Sequence, residues 1–132
     1  MLKNRLIIVT GGAKGLGAEI AENIYNQGAK VIIADKDTEN GKHTAKRLDS
    51  DFFYVDLEDP SSIEKLINSV SKKYNGRLDG LVNNGAIATG IGGISFEDID
   101  LYTWDKVMRV NIRGTWLMTR TTAMSTVTRA IV

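Results

Sequence analysis

Leu6-Ile7-Ile8-Val9-Thr10-Gly11-Gly12-Ala13-Lys14-Gly15-Leu16-Gly17 decides how this chain is read. The apolar run at its start has the composition of a buried strand, and it feeds a glycine-rich turn. Leu16, Ile20, Ala21 and Ile24 then recur at helical spacing, so the turn opens directly into a helix. A strand, a glycine turn and a helix N-terminus in that order can cradle a pyrophosphate. Glycine supplies φ > 0 where the turn needs it and lets the backbone approach the phosphates. The helix presents free N–H groups and its positive dipole end to the anion. Gly11, Gly15 and Gly17 follow G-x-x-x-G-x-G, which is neither G-x-G-x-x-G nor the G-K-[ST] ending of a P-loop.

The 132 residues are long enough for one domain with a real core, about half of what a complete doubly wound enzyme needs. We therefore expect residues 1–132 to form a single dinucleotide-binding, Rossmann-like domain that is incomplete. Seventeen basic and sixteen acidic residues are interspersed, for a net charge of +1, which argues against nucleic-acid and membrane partners. Cysteine is absent, which excludes disulfides, a thiolate nucleophile and cysteine-ligated metal. The apolar run after Met1-Leu2-Lys3-Asn4-Arg5 is too short for a signal peptide or a membrane span. The expectation is a soluble, cytoplasmic protein.

Four strand-like runs, Leu6–Thr10, Lys30–Asp35, Phe52–Val55 and Leu78–Asn83, alternate with helical patterns. The first helix stops at Gly28, Thr38 to Leu48 is a weaker polar helix, and Pro60-Ser61-Ser62 opens a third. That third helix gathers Ile63, Leu66, Ile67, Val70 and Tyr74 on one face. Alternation of this kind predicts right-handed crossovers and a parallel sheet of order 3-2-1-4, the first half of a doubly wound α/β fold. Ala88 to Asp100 reads as a glycine-containing loop, and a last amphipathic helix runs from about Tyr102 to Met124. The tail from Thr126 to Val132 is β-prone and reads as the beginning of a fifth strand.

Asp35 ends the second strand, 18 residues beyond Gly17. A carboxylate there can accept hydrogen bonds from both adenosine ribose hydroxyls and repel a 2′-phosphate, which favours NAD over NADP. Lys14 and Lys36 pull the other way, and the ordinary alternative for Asp35 is a strand-end turn residue. Asp56-Leu57 offers a carboxylate and a following N–H suited to an adenine edge, or else a simple turn before a proline-led helix. Asn83-Asn84-Gly85-Ala86 can tie strand ends together and face a ribose, with a generic Asn-Gly turn as the competing reading. Asn111 lies on the apolar stripe of the last helix, where an unpartnered amide costs roughly 1–3 kcal/mol. It is either a satisfied core amide or a helix-interrupting residue that binds a water in a proton path, and its companions favour the second.

These motifs together resemble the N-terminal half of a short-chain dehydrogenase/reductase, in the style of the 3-oxoacyl-carrier-protein-reductase-like members. Thr10–Gly17, Asp35, Asp56-Leu57, Asn83–Ala86 and the Asn111 helix match in order along nearly the whole chain. The resemblance implies hydride transfer between NAD(P) and an alcohol or ketone. It implies a cofactor site of Gly11, Lys14, Gly15, Leu16, Gly17, Asp35, Asp56, Leu57, Asn83, Asn84, Gly85, Ala86 and Val110, with Asn111 catalytic and no metal. It further implies a Ser and a Tyr-x-x-x-Lys pair as the remaining catalytic groups, and a homo-oligomer formed through the helix bearing Asn111.

The sequence departs from that pattern in three places. The family's Asn-Asn-Ala-Gly reads Asn83-Asn84-Gly85-Ala86, which moves a methyl group toward the cofactor. Thr119 to Arg129 lacks the usual proline- and glycine-marked loop. The catalytic Ser and Tyr-x-x-x-Lys would lie beyond Val132, and Tyr102-Thr103-Trp104-Asp105-Lys106 precedes Asn111 and is read as a coincidence. His43 is read as a solvated surface residue. The expectation is a truncated oxidoreductase that binds NAD weakly and turns over nothing. The alternative is a naturally short, non-catalytic nucleotide-binding or interaction module.

Overall fold

The structure, a computed structural model, describes residues 1–88, 92–126 and 130–132. Five strands form one parallel sheet in the order β3-β2-β1-β4-β5. Along the chain these are β1 (Leu6–Thr10), α1 (Gly15–Asn26), β2 (Lys30–Asp35), α2 (Thr38–Arg47), β3 (Asp51–Tyr54), α3 (Pro60–Lys73) and β4 (Gly80–Val82). A 3₁₀ turn (Phe96–Asp98) leads into α4 (Leu101–Val107), a π-helical turn (Met108–Gly114), α5 (Thr115–Ser125) and β5 (Ala130–Ile131). The order 3-2-1-4 is therefore as expected, and the β-prone tail does pair with β4, at Gly80↔Ala130 and Leu81↔Ile131. Val127–Arg129 of that tail and residues 89–91 of the expected loop lie outside the described residues.

Side chains alternate across the pleat of each central strand and supply two cores. Leu6, Ile8, Ile32 and Ala34 pack with Ile63, Leu66, Ile67 and Val70 of α3 and Met118 of α5. Val9, Val31 and Ile33 pack on the other face with Ala21 of α1 and Ala45 of α2. Ile8, Ile32, Ile33, Ile63 and Ile67 are fully buried, and each such side chain contributes about 1.5–3 kcal/mol of transfer free energy. Strands buried on both faces read as continuous apolar runs, which is why β1 and β2 were visible in the sequence to the residue.

Two boundaries differ from expectation. β3 begins one residue earlier, at Asp51, which pairs with Ile32. β4 is shorter than Leu78–Asn83, although beyond its ends the Asn83 N–H still donates to the Val132 carbonyl and the Asp79 N–H to that of Leu6. Asp79 also anchors this end through its side chain. Its carboxylate accepts from the Leu6 N–H at 3.0 Å and from Arg5 and Arg77 at 3.1 and 2.8 Å. Burial opposes the charge, but the Leu6 N–H and the two guanidinium groups hold the carboxyl below its ordinary range. The last helix is continuous from Leu101 to Ser125, as the apolar spacing predicts, but its middle is π rather than α.

Candidate functional site

Returning from β3 through α3, the chain crosses to the far side of β1, so loops leave the C-terminal ends of β1 and β4 in opposite directions. A crevice at such a switch point is where open α/β sheets bind ligands. A cleft of about 260 Å³ lies there, lined by Gly11, Lys14, Asp35, Lys36, Val55, Asp56, Leu57, Asn84, Gly85, Ala86, Ile87 and Val110.

The glycine turn forms one wall. Gly11 and Gly15 have φ of +65° and +55°. A Cβ on Gly17 would stand 1.9 Å from the Gly11 carbonyl oxygen, so this position admits only hydrogen, whereas a Cβ on Gly15 would meet nothing within 4 Å. The two glycines thus have different reasons. Gly17 lets α1 pack against the turn, and Gly15 leaves space open. Among the described residues, the N–H groups of Gly15, Leu16 and Gly17 find no protein acceptor. No acidic residue occupies the first turn of α1 and Lys14 provides no side-chain cap. Unspent donors, a helix dipole and a side-chain-free space make an anion cradle. Gly15, Leu16 and Gly17 form this helix start rather than the lining of the cleft itself.

Asn84 holds the turn against β4. Its amide donates to the Thr10 and Gly11 carbonyl oxygens at 3.1 and 3.2 Å. The Thr10 hydroxyl donates to the Val82 carbonyl and accepts from the Asn84 and Gly85 N–H groups. Asn83 behaves differently. Its side chain donates to Thr119 on α5 and does not line the cleft. Gly85 is tightly packed, since a Cβ there would come within 2.8 Å of the Leu57 Cδ1. The Gly–Ala exchange therefore leaves the methyl-free residue at the close contact, while exposed Ala86 carries its methyl on the cleft wall.

Asp35 accepts the Ala13 N–H on one oxygen and the Asp37 N–H on the other, each at 3.0 Å. These bonds fix the carboxylate's orientation and leave each oxygen one further lone pair. Lys14 pairs with Asp37 at 3.2 Å. Hydrogen bonds from Asn40 and the nearby ammonium hold the Asp37 carboxyl below its usual range. Lys36 is exposed, lines the cleft, and has no ion-pair partner among the described residues.

Asp56 accepts the Glu58 N–H at 2.9 Å, and its own N–H donates to the Ser62 hydroxyl, which shapes the turn carrying Leu57. The Leu57 N–H has no acceptor among the described residues. Opposite this turn, Asn111 sits in the π-helical segment. Its Oδ1 accepts the Ile87 N–H at 2.8 Å and its Nδ2 donates to the Ile87 carbonyl at 3.0 Å. Asn111 is thus satisfied by the backbone of one residue, and it stands behind the cleft rather than on its wall. The satisfied amide belongs to the reading that the sequence placed second, the break in the α-helix to the one it placed first, and the Ile87 partner to neither.

Gly11, Lys14, Asp35, Asp56, Leu57, Asn84, Gly85, Ala86 and Val110 thus line one cleft together. Sequence reasoning missed Val55 and Ile87. Val55 was readable as the last residue of an apolar run, whereas nothing in the chain marks Ile87. Tyr102 and Lys106 lie on α4 and do not line the cleft, and His43 is exposed on α2.

A larger hollow of about 800 Å³ opens at the other end of the sheet, beside Arg5, Tyr25, Lys30, Lys73, Tyr74 and Arg77. Arg5 and Arg77 share Asp79 there, and Lys73 pairs with Asp51. Most of its charge is already neutralised internally, so the smaller cleft is the better candidate. Among the described residues no group of three or more His, Asp or Glu side chains gathers as a metal site. No helix is long and apolar enough to cross a membrane among them either.

Comparison with known proteins agrees with this fold. The family model described as short chain dehydrogenase matches residues 5–130. Short-chain dehydrogenase reductase 5 of Arabidopsis thaliana is 36% identical over 116 residues, covering 86% of this chain and 44% of the relative. An uncharacterized oxidoreductase of Thermotoga maritima is 34% identical over 91% of this chain and 47% of its own length. Among solved structures, 3-ketoacyl-(acyl-carrier-protein) reductase from Brucella melitensis complexed with NADH superimposes with a TM-score of 0.88 at 27% identity, covering 95% of this chain and 51% of that one. Pseudomonas aeruginosa RhlG with NADP gives 0.85 at 29%, covering 94% and 48%. The chain spans about half the length of the curated relatives it matches. By sequence and by fold, it belongs to the short-chain dehydrogenase family.

Proposed function

We propose that the cleft binds a nicotinamide dinucleotide, and that the chain is the cofactor-binding part of an oxidoreductase moving hydride between NAD(P) and an alcohol or ketone. The observation that carries this reading is the cluster of unspent N–H groups at the start of α1, beside the open space at Gly15. When bound, the nicotinamide donates or accepts the hydride. The protein's own share is to bind and orient. The α1 start and Gly11 take the pyrophosphate, Asp35 accepts the adenosine ribose hydroxyls, and Asp56 with the Leu57 N–H meets the adenine edge. Asn84, Gly85, Ala86 and Val110 shape the remaining wall, and Asn111 holds the backbone at Ile87 beside a proton path.

Asp35 favours NAD, because a second negative charge close to a fixed carboxylate in a partly desolvated groove is repelled. Lys36 is the cation that opposes this preference. Hydride transfer is accordingly proposed for the whole protein, to which these residues, about half the length of the relatives, contribute the cofactor-binding wall. It works in the cytoplasm, with no nucleic-acid or membrane partner. A second copy joins along the helix bearing Asn111, where Trp104, Ile112 and Trp116 are each more than half exposed.

Calorimetric titration with NAD and NADP tests the reading. NAD should bind more tightly, and Asp35→Ala should narrow the difference. Equal affinity of the unaltered chain for both cofactors overturns the role given to Asp35, and binding of neither overturns the dinucleotide site.

A further inference from the structure

The two walls of the cleft are joined behind it by one structural piece, the π-helical turn. On one side, Asn111 of that turn grips both the N–H and the carbonyl oxygen of Ile87. On the other side the same turn makes three contacts with the loop that follows β3. Arg109 Nε donates to Glu58 Oε1 at 2.9 Å, and both side chains are about two-thirds shielded from solvent. Arg113 donates to the Glu58 carbonyl oxygen at 2.7 Å. Gly114 abuts Leu57 so closely that a Cβ on it would lie 2.6 Å from the Leu57 carbonyl oxygen. Between these grips, buried Val110 lines the cleft next to Leu57.

We infer that Arg109, through its ion pair with Glu58, is a positioning residue for the Asp56–Leu57 turn, and that the π-helical segment makes the two walls of the cleft move as one. The inference rests on the dinucleotide reading for its ligand but on hydrogen bonds within the chain for its geometry. Four observations support it. The Asp56–Glu58 turn belongs to no helix or strand. Its local bonds, from Asp56 to the Glu58 N–H and from Ser62 to the Asp56 N–H, fix its shape. Its anchors to the last helix come from Arg109, Arg113 and Gly114. The π geometry places Arg109 and Arg113 toward the turn while Asn111 reaches the Ile87 side. Neither Arg109 nor Arg113 lines the cleft, so each acts through Glu58 and not on the ligand.

Titration of NAD, AMP and nicotinamide mononucleotide against the unaltered chain, Arg109→Gln, Glu58→Gln and the exchanged pair Glu58→Arg with Arg109→Glu tests this. Each single variant should weaken NAD and AMP by about two- to fivefold, the worth of a partly exposed ion pair. Nicotinamide mononucleotide should be unaffected. Both single changes combined should cost no more than one, and the exchanged pair should recover part of the loss. Without ligand, Arg109→Gln should shift the Leu57 and Ile87 amide resonances together. Unchanged AMP affinity, additive losses, or an Ile87 amide that stays in place overturns the inference while leaving the dinucleotide site standing. If the unaltered chain binds neither NAD nor AMP, the dinucleotide reading itself fails, and this inference with it.

Discussion

Gly15 and Gly17 stand two residues apart in one turn, yet the structure gives their replacements opposite consequences. In Gly17→Ala the new Cβ would lie 1.9 Å from the Gly11 carbonyl oxygen and 2.5 Å from the Asn84 amide nitrogen. The first of these is backbone and cannot rotate away. Overpacking of this kind costs about 3 kcal/mol, at the top of the usual range, because the turn itself must move. Alanine recovers about 1 kcal/mol of helix propensity inside α1, which leaves a net loss of about 2 kcal/mol. For a domain of this size that corresponds to a fall in Tm of about 8 °C. Gly15→Asn is the contrasting change. Asparagine tolerates the φ of +55°, and nothing stands within 4 Å of the new Cβ. Stability should therefore barely move, while the side chain fills the anion cradle and weakens NAD by about tenfold or more, equivalent to about 1.4 kcal/mol. Thermal melts and calorimetry on both variants separate the two effects. A Gly17→Ala chain that melts within 2 °C of the parent, by the estimate above about a quarter of the expected fall, would refute the close-approach argument. A Gly15→Asn chain with unchanged NAD affinity would remove Gly15 from the cradle.

Three further outcomes follow from other parts of the fold. Because the folded Asp79 carboxyl is held below its ordinary value, its stabilising contribution is complete above that value and is lost as pH falls through the lower, folded one. Denaturant titrations should therefore show stability dropping below about pH 4, and Asp79→Asn should flatten that acid limb. Asn111→Ala strands both the N–H and the carbonyl of Ile87, at a cost of about 2–3 kcal/mol, and amide hydrogen exchange at Ile87 should accelerate; exchange at the parental rate would show that the Asn111 amide is not what holds this segment. Ile112→Asp places a charge in the exposed apolar stripe and should abolish self-association in sedimentation velocity without lowering Tm, whereas a chain that associates regardless uses another surface.

The apolar periodicities carried most of the fold. β1 and β2 are buried on both faces, so their runs of Ile and Val are unbroken and their limits could be read directly. α3 announced itself through Pro60 at its start and one clean apolar face. The cleft and the helix start beside it were legible where a residue type is forced by backbone geometry or by charge, as at Gly11, Gly17, Asp35 and Asp56. It was not legible where the determinant is a partner distant in sequence. Asn83 and Asn84 are adjacent and chemically identical, yet one turns to Thr119 and the other to the glycine turn. Ile87 serves through its peptide group, which every residue has. An interruption at Asn111 was legible, but its π form was not, because the spacing of Trp104, Val107, Met108, Asn111 and Ile112 suits a helix whether its hydrogen bonds run to the fourth or the fifth residue.

That turn also stores a phase. A π segment accommodates one residue more than the α-helix would, so everything after Gly114 is rotated relative to everything before Met108 by one residue's worth, about 100°. Met118 and Thr122, which are fully buried, reach the core because of that offset. Seven α-helical residues in place of Met108–Gly114 would swing both side chains away from the core, whereas deleting one of the seven would let the segment relax to plain α-helix with their phase kept. The odd residue that frees Asn111 to reach Ile87 thus also sets which face of α5 is the inside. Straightening the turn with its full residue count would unseat the helix that follows, and a one-residue shortening would compensate for it.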